Sequence, residues 1–582
     1  MIGALALAFL TAAATLDARL IGPALSDDPG PFSVWVELRD KGERSPAELE
    51  AMLERAAAAL SPRNRARRER ARVSPLADYR DIPVHRAYLD TLAAHGFEVR
   101  AVSRWLNRVA LRVPGPRLLD LAGLPLARRV VPIERAWRSP EPSSPSPLPE
   151  RAGLEHAPGA SMYGLTFGQL AQLGIPALHA AGYTGSGVLV CMLDDGFNYY
   201  DRHEALRGIK VPPGHTRDFV EGDTTVTDTL APFGLRHGTW TLAVIGGVKP
   251  GTYLGAAYGA EFALARVEMD AFERRVEMTY WGMGAEWADS LGADVISSSL
   301  GYSRFDDPDT DYTYRDMDGH TTDVSRFAEI AASKGILVVN AAGNEGGTPW
   351  RHLIAPADVD GDSLIAVGAV DAAGTIAGFS SRGPSADGRI KPDLVARGVE
   401  NPLPAVDGDP HGYSTNSGTS FAAPLVAGLA ACLIEAHPAW TPTTVIRALR
   451  ATASHAADPD TTYGFGIPDG WRALHWSGTS LGAGGLRVSV TGPNPFVARA
   501  GPVSVEFGLE GSTAAAGGRL RVLDVQGRMV RELWSGSLEP ARPLRASWDG
   551  ADGDGREAPP GLYWIALGAA GRLAAARLVL IR

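Results

Sequence analysis

Through the middle of the chain, unbroken apolar runs are each followed by a polar, glycine-bearing turn and then by an apolar helical stretch. Val188-Leu189-Val190-Cys191-Met192-Leu193 and Ile336-Leu337-Val338-Val339 are too continuously apolar for half-exposed strands. They predict strands covered on both faces, as in an open α/β sheet. Apolar helices are predicted through Leu242, Ala243, Val244 and Ile245 and through Leu425, Val426, Leu429 and Leu433.

The two ends read differently. Phe32-Ser33-Val34-Trp35-Val36-Glu37-Leu38 reads as a strand, 47–60 and 84–96 as helices, and Glu98-Val99-Arg100-Ala101-Val102 and Arg108-Val109-Ala110-Leu111-Arg112-Val113 as further strands. A crossover at 118–124 and a strand at 127–133 complete the order strand, helix, strand, strand, helix, strand of a ferredoxin-like α+β module, a count into which the helix at 84–96 does not fit neatly. Beyond residue 475, a glycine-serine stretch gives way to short runs such as Val503-Ser504-Val505-Glu506-Phe507, Leu520-Arg521-Val522-Leu523 and Tyr563-Trp564-Ile565-Ala566-Leu567. Turn residues separate them, which predicts a β-sandwich over 486–582.

A chain of 582 residues exceeds one hydrophobic core and predicts about three or four domains. Its 45% hydrophobic and 21% charged residues are ordinary for globular protein, and a net charge of −10 argues against a nucleic-acid surface. The basic run at 63–72 is therefore assigned to its place in the N-terminal module. The small, apolar start with Ala12-Ala13-Ala14 predicts a secretory signal peptide over 1–18, and no later segment is expected to cross a bilayer, so the protein should be secreted or held at the cell surface. Between the module at 30–135 and the central domain at 161–475, the linker 136–160 carries the tract Ser139-Pro140-Glu141-Pro142-Ser143-Ser144-Pro145-Ser146-Pro147-Leu148-Pro149. It should join neither helix nor sheet and should stay accessible to cleavage. Cys191 and Cys432 are the only cysteines and fall in predicted buried elements, as small core hydrophobes rather than a pair or a nucleophile.

The chemistry sits where the apolar elements end. Asp194-Asp195-Gly196 closes the first buried strand, at the edge where open α/β sheets bind ligands. His237-Gly238-Thr239 opens one helix, and Asn340-Ala341-Ala342-Gly343-Asn344-Glu345-Gly346 forms a glycine-rich loop after another strand. Gly418-Thr419-Ser420-Phe421-Ala422-Ala423-Pro424 places a serine at a turn that opens a helix, whose unpaired N–H groups would favour negative charge there. Each feature alone has a plain structural explanation, as a helix cap, a core histidine or a turn asparagine. Taken together, Asp, His, Asn and Ser are the parts of acyl transfer by an activated serine.

On these residues the chain resembles the subtilisin-like serine peptidases, over about 160–475. The motifs Leu193-Asp194-Asp195-Gly196, His237-Gly238-Thr239, Ala342-Gly343-Asn344 and Gly418-Thr419-Ser420 occur in the family's order. Phe379-Ser380-Ser381-Arg382-Gly383-Pro384 with Lys391-Pro392-Asp393 resembles a further signature. Two positions depart from the family pattern: Trp240 stands where a second histidine is frequent, and Val395-Ala396-Arg397-Gly398 lacks a usual proline.

The resemblance implies a doubly wound, mostly parallel α/β core and an endopeptidase acting on extended polypeptide. Ser420 would be the nucleophile, His237 the general base and acid, Asp194 its orienting carboxylate and Asn344 the oxyanion donor. Asp195 is the rival for the aspartate role, and strand alternation, which points neighbouring side chains oppositely, favours one of the two. Ser299, Leu300 and Gly301, following Val295-Ile296-Ser297-Ser298, resemble the strand that pairs with substrate. The N-terminal module resembles the family's inhibitory propeptides and would be the chain's own intramolecular partner. The C-terminal region resembles immunoglobulin-like domains of secreted bacterial enzymes, some of which serve secretion machinery. The chemistry would need no cofactor. Structural calcium is expected at Asp306-Asp307-Pro308-Asp309 or Asp358-Val359-Asp360-Gly361-Asp362, with no ligands assigned and the metal site unknown. An inactive binding or adhesion module and an esterase with the same triad remain open alternatives.

Overall fold

The computed structural model describes residues 14–26, 30–133, 135–136, 146–147, 160–228, 235–269, 273–305, 311–476, 486–491, 496–498, 501–509, 515–524, 528–539, 542–569 and 572–581. Its N-terminal module comprises β1 (Thr15–Leu16), α1 (Ala18–Leu25), β2 (Phe32–Leu38), α2 (Pro46–Ala58), α3 (Pro62–Arg70), α4 (Arg86–Ala94), β3 (Glu98–Ser103), β4 (Arg108–Val113), α5 (Leu118–Ala122) and β5 (Ala127–Pro132). The sheet runs β1-β5-β2-β4-β3. Its last four strands, all antiparallel, are the ferredoxin-like arrangement expected. Three helices occupy the first crossover instead of one, and α3 is the element that the sequence reading left as a basic run.

Alternation along β2 explains why the module is buried on two sides. Val34, Val36 and Leu38 face its own core, while Trp35 joins Ala101, Ala110 and Ile133 against Val276 and Met283 of the central domain. The boundary drawn at residue 18 falls inside a folded unit: Ala14 is buried, its N–H donates to the Ala122 carbonyl, and Thr15 pairs in parallel with Arg129. Residues 1–13 of the expected leader lie outside the described residues.

The linker is corrected in part. Most of it lies outside the described residues, but Arg135–Ala136 pairs antiparallel with Glu273–Arg274, and Ser146–Pro147 pairs with Ser414 and Thr415. A proline is tolerated there because the pairing is at a sheet edge.

The central domain is built on a parallel sheet of β6 (Leu189–Asp194), β7 (Thr216–Asp218), β8 (Glu261–Arg266), β9 (Val295–Ser298), β10 (Leu337–Ala341), β11 (Leu364–Val370) and β12 (Leu394–Arg397), in the order β12-β11-β10-β9-β6-β8-β7. It is the doubly wound α/β core expected. On β6, Val190 and Met192 join the cluster on one face of the sheet, and Leu189, Cys191 and Leu193 the cluster on the other. The chain leaves β6 toward β8 on one side and later returns to place β9 on the other, so the switch in strand order lies beside the carboxyl end of β6.

The helices that matter to the site are α6 (His237–Gly246), α7 (Val276–Leu291), α8 (Asp323–Ser333) and α9 (Thr419–Ala436). By length and composition alone, α9 is apolar enough to cross a membrane, as core helices can be. It is the central core helix, with 89% of that stretch enclosed by protein.

Both cysteines are free and buried, and burial pushes both thiols up, as suits core packing. At the C-terminus, strands 486–490, 503–509 and 544–548 form one sheet, and 496–497, 516–524, 529–538, 561–569 and 572–581 another. Trp548 lies between them with Phe496 and Tyr563, giving the expected β-sandwich.

Candidate active site

Asp194 is the last residue of β6 and is buried. Its Oδ1 lies 2.6 Å from His237 Nδ1 and accepts the Asp195 N–H at 2.9 Å, while Oδ2 accepts the Thr241 hydroxyl at 2.8 Å. Burial alone would raise this carboxyl, but the His237 ring and these donors outweigh it and hold it below the ordinary carboxylate range. The arrangement assigns the imidazole proton to Nδ1, which donates it to Asp194 Oδ1, and turns Nε2 away from that carboxylate.

The alternation argument about Asp195 fails for a simple reason: β6 ends at Asp194, so Asp195 is not bound to the pleat. Asp195 also reaches His237, by the backbone. Its carboxylate accepts the Gly238 N–H at 2.9 Å and the His237 N–H at 3.3 Å, capping the first turn of α6. Asp194, Asp195 and His237 cluster tightly enough to suggest a metal site. The carboxylates of both aspartates hydrogen-bond within the cluster and to α6, and the set fits an oriented imidazole better than a cation.

The glycine at 238 is required by this closeness. A Cβ there would stand 2.3 Å from the Gly196 carbonyl oxygen and 2.9 Å from Asp194 Cβ. Neighbouring Thr239 ties α6 to the turn after β6 by donating to the Asn198 carbonyl at 2.6 Å, and Trp240 donates its indole N–H to Pro404 at 3.0 Å.

Ser420 occupies the first turn of α9, capped by Gly418, and the next residue, Phe421, rests its ring 6.1 Å from that of His237. Pro424 lies inside the helix, where it has no N–H to return to the carbonyl of Ser420. That carbonyl is taken by the Ser299 hydroxyl at 2.8 Å, and the Ser420 hydroxyl stands 3.4 Å from the Ser299 carbonyl. The missing helical bond is thus replaced by a tether between the serine turn and the end of β9.

Asn344 approaches from the loop after β10. Its side-chain oxygen accepts both the N–H and the hydroxyl of Thr419, each at 2.9 Å, which leaves the amide N–H₂ as its donor. The loop is held from beneath by the second signature: Ser381 donates its N–H to the Gly343 carbonyl at 2.9 Å, and its hydroxyl accepts the Glu345 N–H at 3.0 Å. Lys391 and Asp393 form a buried pair at 2.7 Å, and Asp393 accepts the Ala366 N–H from β11, so this signature is scaffold rather than chemistry.

Ser299, Leu300 and Gly301 continue directly from β9. Ser299 and Leu300 are buried, and the Leu300 carbonyl accepts the amide of Asn340 at 2.9 Å. The sequence reading missed Thr241, and it named Pro424 within the serine motif without the carbonyl that it leaves open. A threonine four residues after a motif histidine, and a proline four after a motif serine, are the signals that were available.

Of the two loops named for calcium, only the second lies among the described residues, and its carboxylates are engaged elsewhere. Asp306, Asp307 and Asp309 lie outside the described residues. In the other loop Asp358 accepts from Gly319 N–H and Ser325 hydroxyl, and Asp362 pairs with Arg447 and Arg450. Burial pushes the Asp358 carboxyl up.

Comparison with known proteins agrees with this geometry. Residues 185–466 match the model of the subtilase family, and residues 33–146 match the peptidase S8 propeptide domain of Bacteroidota. The chain is 32% identical over 293 residues to a subtilisin of Bacillus pumilus, covering 49% of this chain and 90% of that protein. It is 32% identical to subtilisin E of Bacillus subtilis (strain 168), covering 49% of this chain and 65% of that protein. It is 30% identical to subtilisin BL of Lederbergia lenta, covering 50% and 92%.

Proposed function

We propose, from the premise that the chain belongs to the subtilase family of serine peptidases, that Ser420, His237 and Asp194 are its catalytic residues and Asn344 its oxyanion donor. The protein is a subtilisin-like serine endopeptidase that carries a propeptide. Its chemistry takes no cofactor. In the proposed sequence, His237 Nε2 removes the Ser420 proton as Oγ attacks the scissile carbonyl, then returns it to the leaving amine, and water repeats the cycle to release the acyl group. Asp194 keeps the imidazole in the tautomer that makes Nε2 the base and stabilises the imidazolium.

The observation that carries this reading is the 2.6 Å contact of Asp194 with His237 Nδ1, at the sheet edge where the serine turn is also anchored. Asn344 would donate to the tetrahedral oxyanion together with the Ser420 N–H. Ser299, Leu300 and Gly301 would pair with extended substrate, and the Ser299 tether would keep that strand in register with the nucleophile. The boundaries 30–135, 161–475 and 486–582 are proposed as propeptide, peptidase and sandwich domains, with the segment 14–26 packed onto the first of them. We further read the mature enzyme as secreted or cell-surface, and the sandwich, which contains no histidine, as a sorting or attachment module.

The test is Ser420→Ala in the full chain. Hydrolysis of peptide substrates and release of the propeptide should both stop, while circular dichroism stays that of the parent. Propeptide release at the parental rate would overturn the assignment.

A further inference from the structure

Helix α3 is polar apart from Pro62 and Ala66, yet Asn64, Arg67 and Arg68 are buried. They are buried against the central domain, on the face formed by the end of α7 and the turns after α7 and α8. Arg67 pairs with Asp289 and donates to the Ala293 carbonyl at 3.0 Å, and Asn64 donates to the Asp289 carbonyl at 2.6 Å. Arg68 meets Asp289 at 2.8 Å and holds Asp81 of its own module in a two-pronged pair, at 2.8 and 3.0 Å. Asp81 in turn receives Lys334, from the end of α8, at 2.6 Å. Each side therefore supplies both signs: arginine and aspartate from the module, aspartate and lysine from the catalytic domain. Around this centre, Arg70 and Arg63 meet Asp294, and Arg104 meets Asp289.

The backbone is contoured to match. Gly292 and Gly335, both at positive φ, lie under α3. A Cβ on Gly292 would be 2.7 Å from Asn64 N, and one on Gly335 would be 2.4 Å from Ala71 Cβ. Charge and shape thus agree on one occupant. None of these residues belongs to the catalytic cluster or to the strand Glu273–Arg274 that pairs with Arg135–Ala136.

We propose that Asp289, Asp294 and Lys334, with the close-approach glycines 292 and 335, form a docking surface separate from the catalytic cleft that recognises the paired guanidinium groups of α3, and that this surface keeps the cleaved propeptide bound as an inhibitor. The proposal rests on the reading of the N-terminal module as a propeptide that is cut away. Fully desolvated charges hold only with all partners present, so the surface discriminates strongly: a propeptide lacking either arginine leaves Asp289 buried without its counter-charge.

The test uses the full chain with Arg67→Gln and Arg68→Gln. Once the propeptide is gone, the mature enzyme from this variant is chemically identical to the parental one, so its final activity is a built-in control. The cleaved propeptide should no longer co-elute with the catalytic domain in gel filtration, and the lag before hydrolysis of a fluorogenic peptide should shorten by tenfold or more. A lag and co-elution equal to the parent's would overturn the proposal. Should the variant yield no active enzyme, hydrogen exchange decides, with the same substitutions placed in the Ser420→Ala chain. Lost protection at 276–294 and 334–335 supports the surface, and unchanged protection there overturns it. Continued processing of the Ser420→Ala chain would instead refute the catalytic assignment, a failure that the exchange comparison does not share.

Discussion

At the scale of the residue, the pair Asp194 and Asp195 divides the work that a single motif position suggests. Asp194 holds the ring of His237 and Asp195 holds its backbone, so the second carboxylate is a positioning residue whose charge also lies beside the imidazolium that forms during the reaction. Asp195→Asn keeps an oxygen acceptor and removes the charge. The imidazolium then loses one favourable neighbour, and the acid limb of the kcat/KM profile should move to lower pH with hydrolysis retained. Asp195→Ala also loses the cap, a change worth on the order of 1 kcal/mol, and should reduce kcat/KM several-fold further. Coincident profiles for the parent and the Asn variant would show that Asp195 acts on structure alone.

At the scale of the element, what was legible followed apolar continuity. The strands at 32–38 and 108–113 and the helices after His237 and Ser420 were readable because their apolar residues keep a period or an unbroken run. Helix α3 was not, because its burial is polar and its partner Asp289 lies 222 positions from Arg67. The reach of Asp195 was misread because alternation was extended one residue past the strand end. The tether from Ser299 to the carbonyl left open by Pro424 needs two elements brought together before it has meaning.

Element packing also makes a prediction. Gly238→Ala would push α6 away from Asp194 and the Gly196 turn, and a displacement near 1 Å in a catalytic group costs on the order of 100-fold in rate. Far-UV circular dichroism should be unchanged while kcat/KM collapses, and a variant with near-parental kcat/KM would show that the loop relaxes at no cost.

At the scale of the whole molecule, the contact between propeptide and catalytic domain is tied to pH through Asp81. Burial would raise this carboxyl, but the Arg68 hydrogen bonds and the Lys334 charge outweigh it and bring it from 3.8 to about 2. A carboxyl held lower in the folded chain than in the unfolded one stabilises the fold above its ordinary value, and that contribution fades as pH falls through the folded value. The unprocessed Ser420→Ala chain should therefore keep this contribution from neutral pH down to about 4 and lose it between about pH 4 and 2. Thermal melts across that range should show a shallower fall for the same chain carrying Asp81→Asn, and parallel curves would remove Asp81 from the account.

The two buried, unpaired thiols have one more consequence. With only Cys191 and Cys432 in the sequence and both enclosed in the core of the central domain, no disulfide joins the three parts of the chain. Disulfide formation between these parts therefore cannot be the cue that licenses this protease. Timing falls instead to events at the chain itself, the cut that frees the propeptide and the moment it lets go.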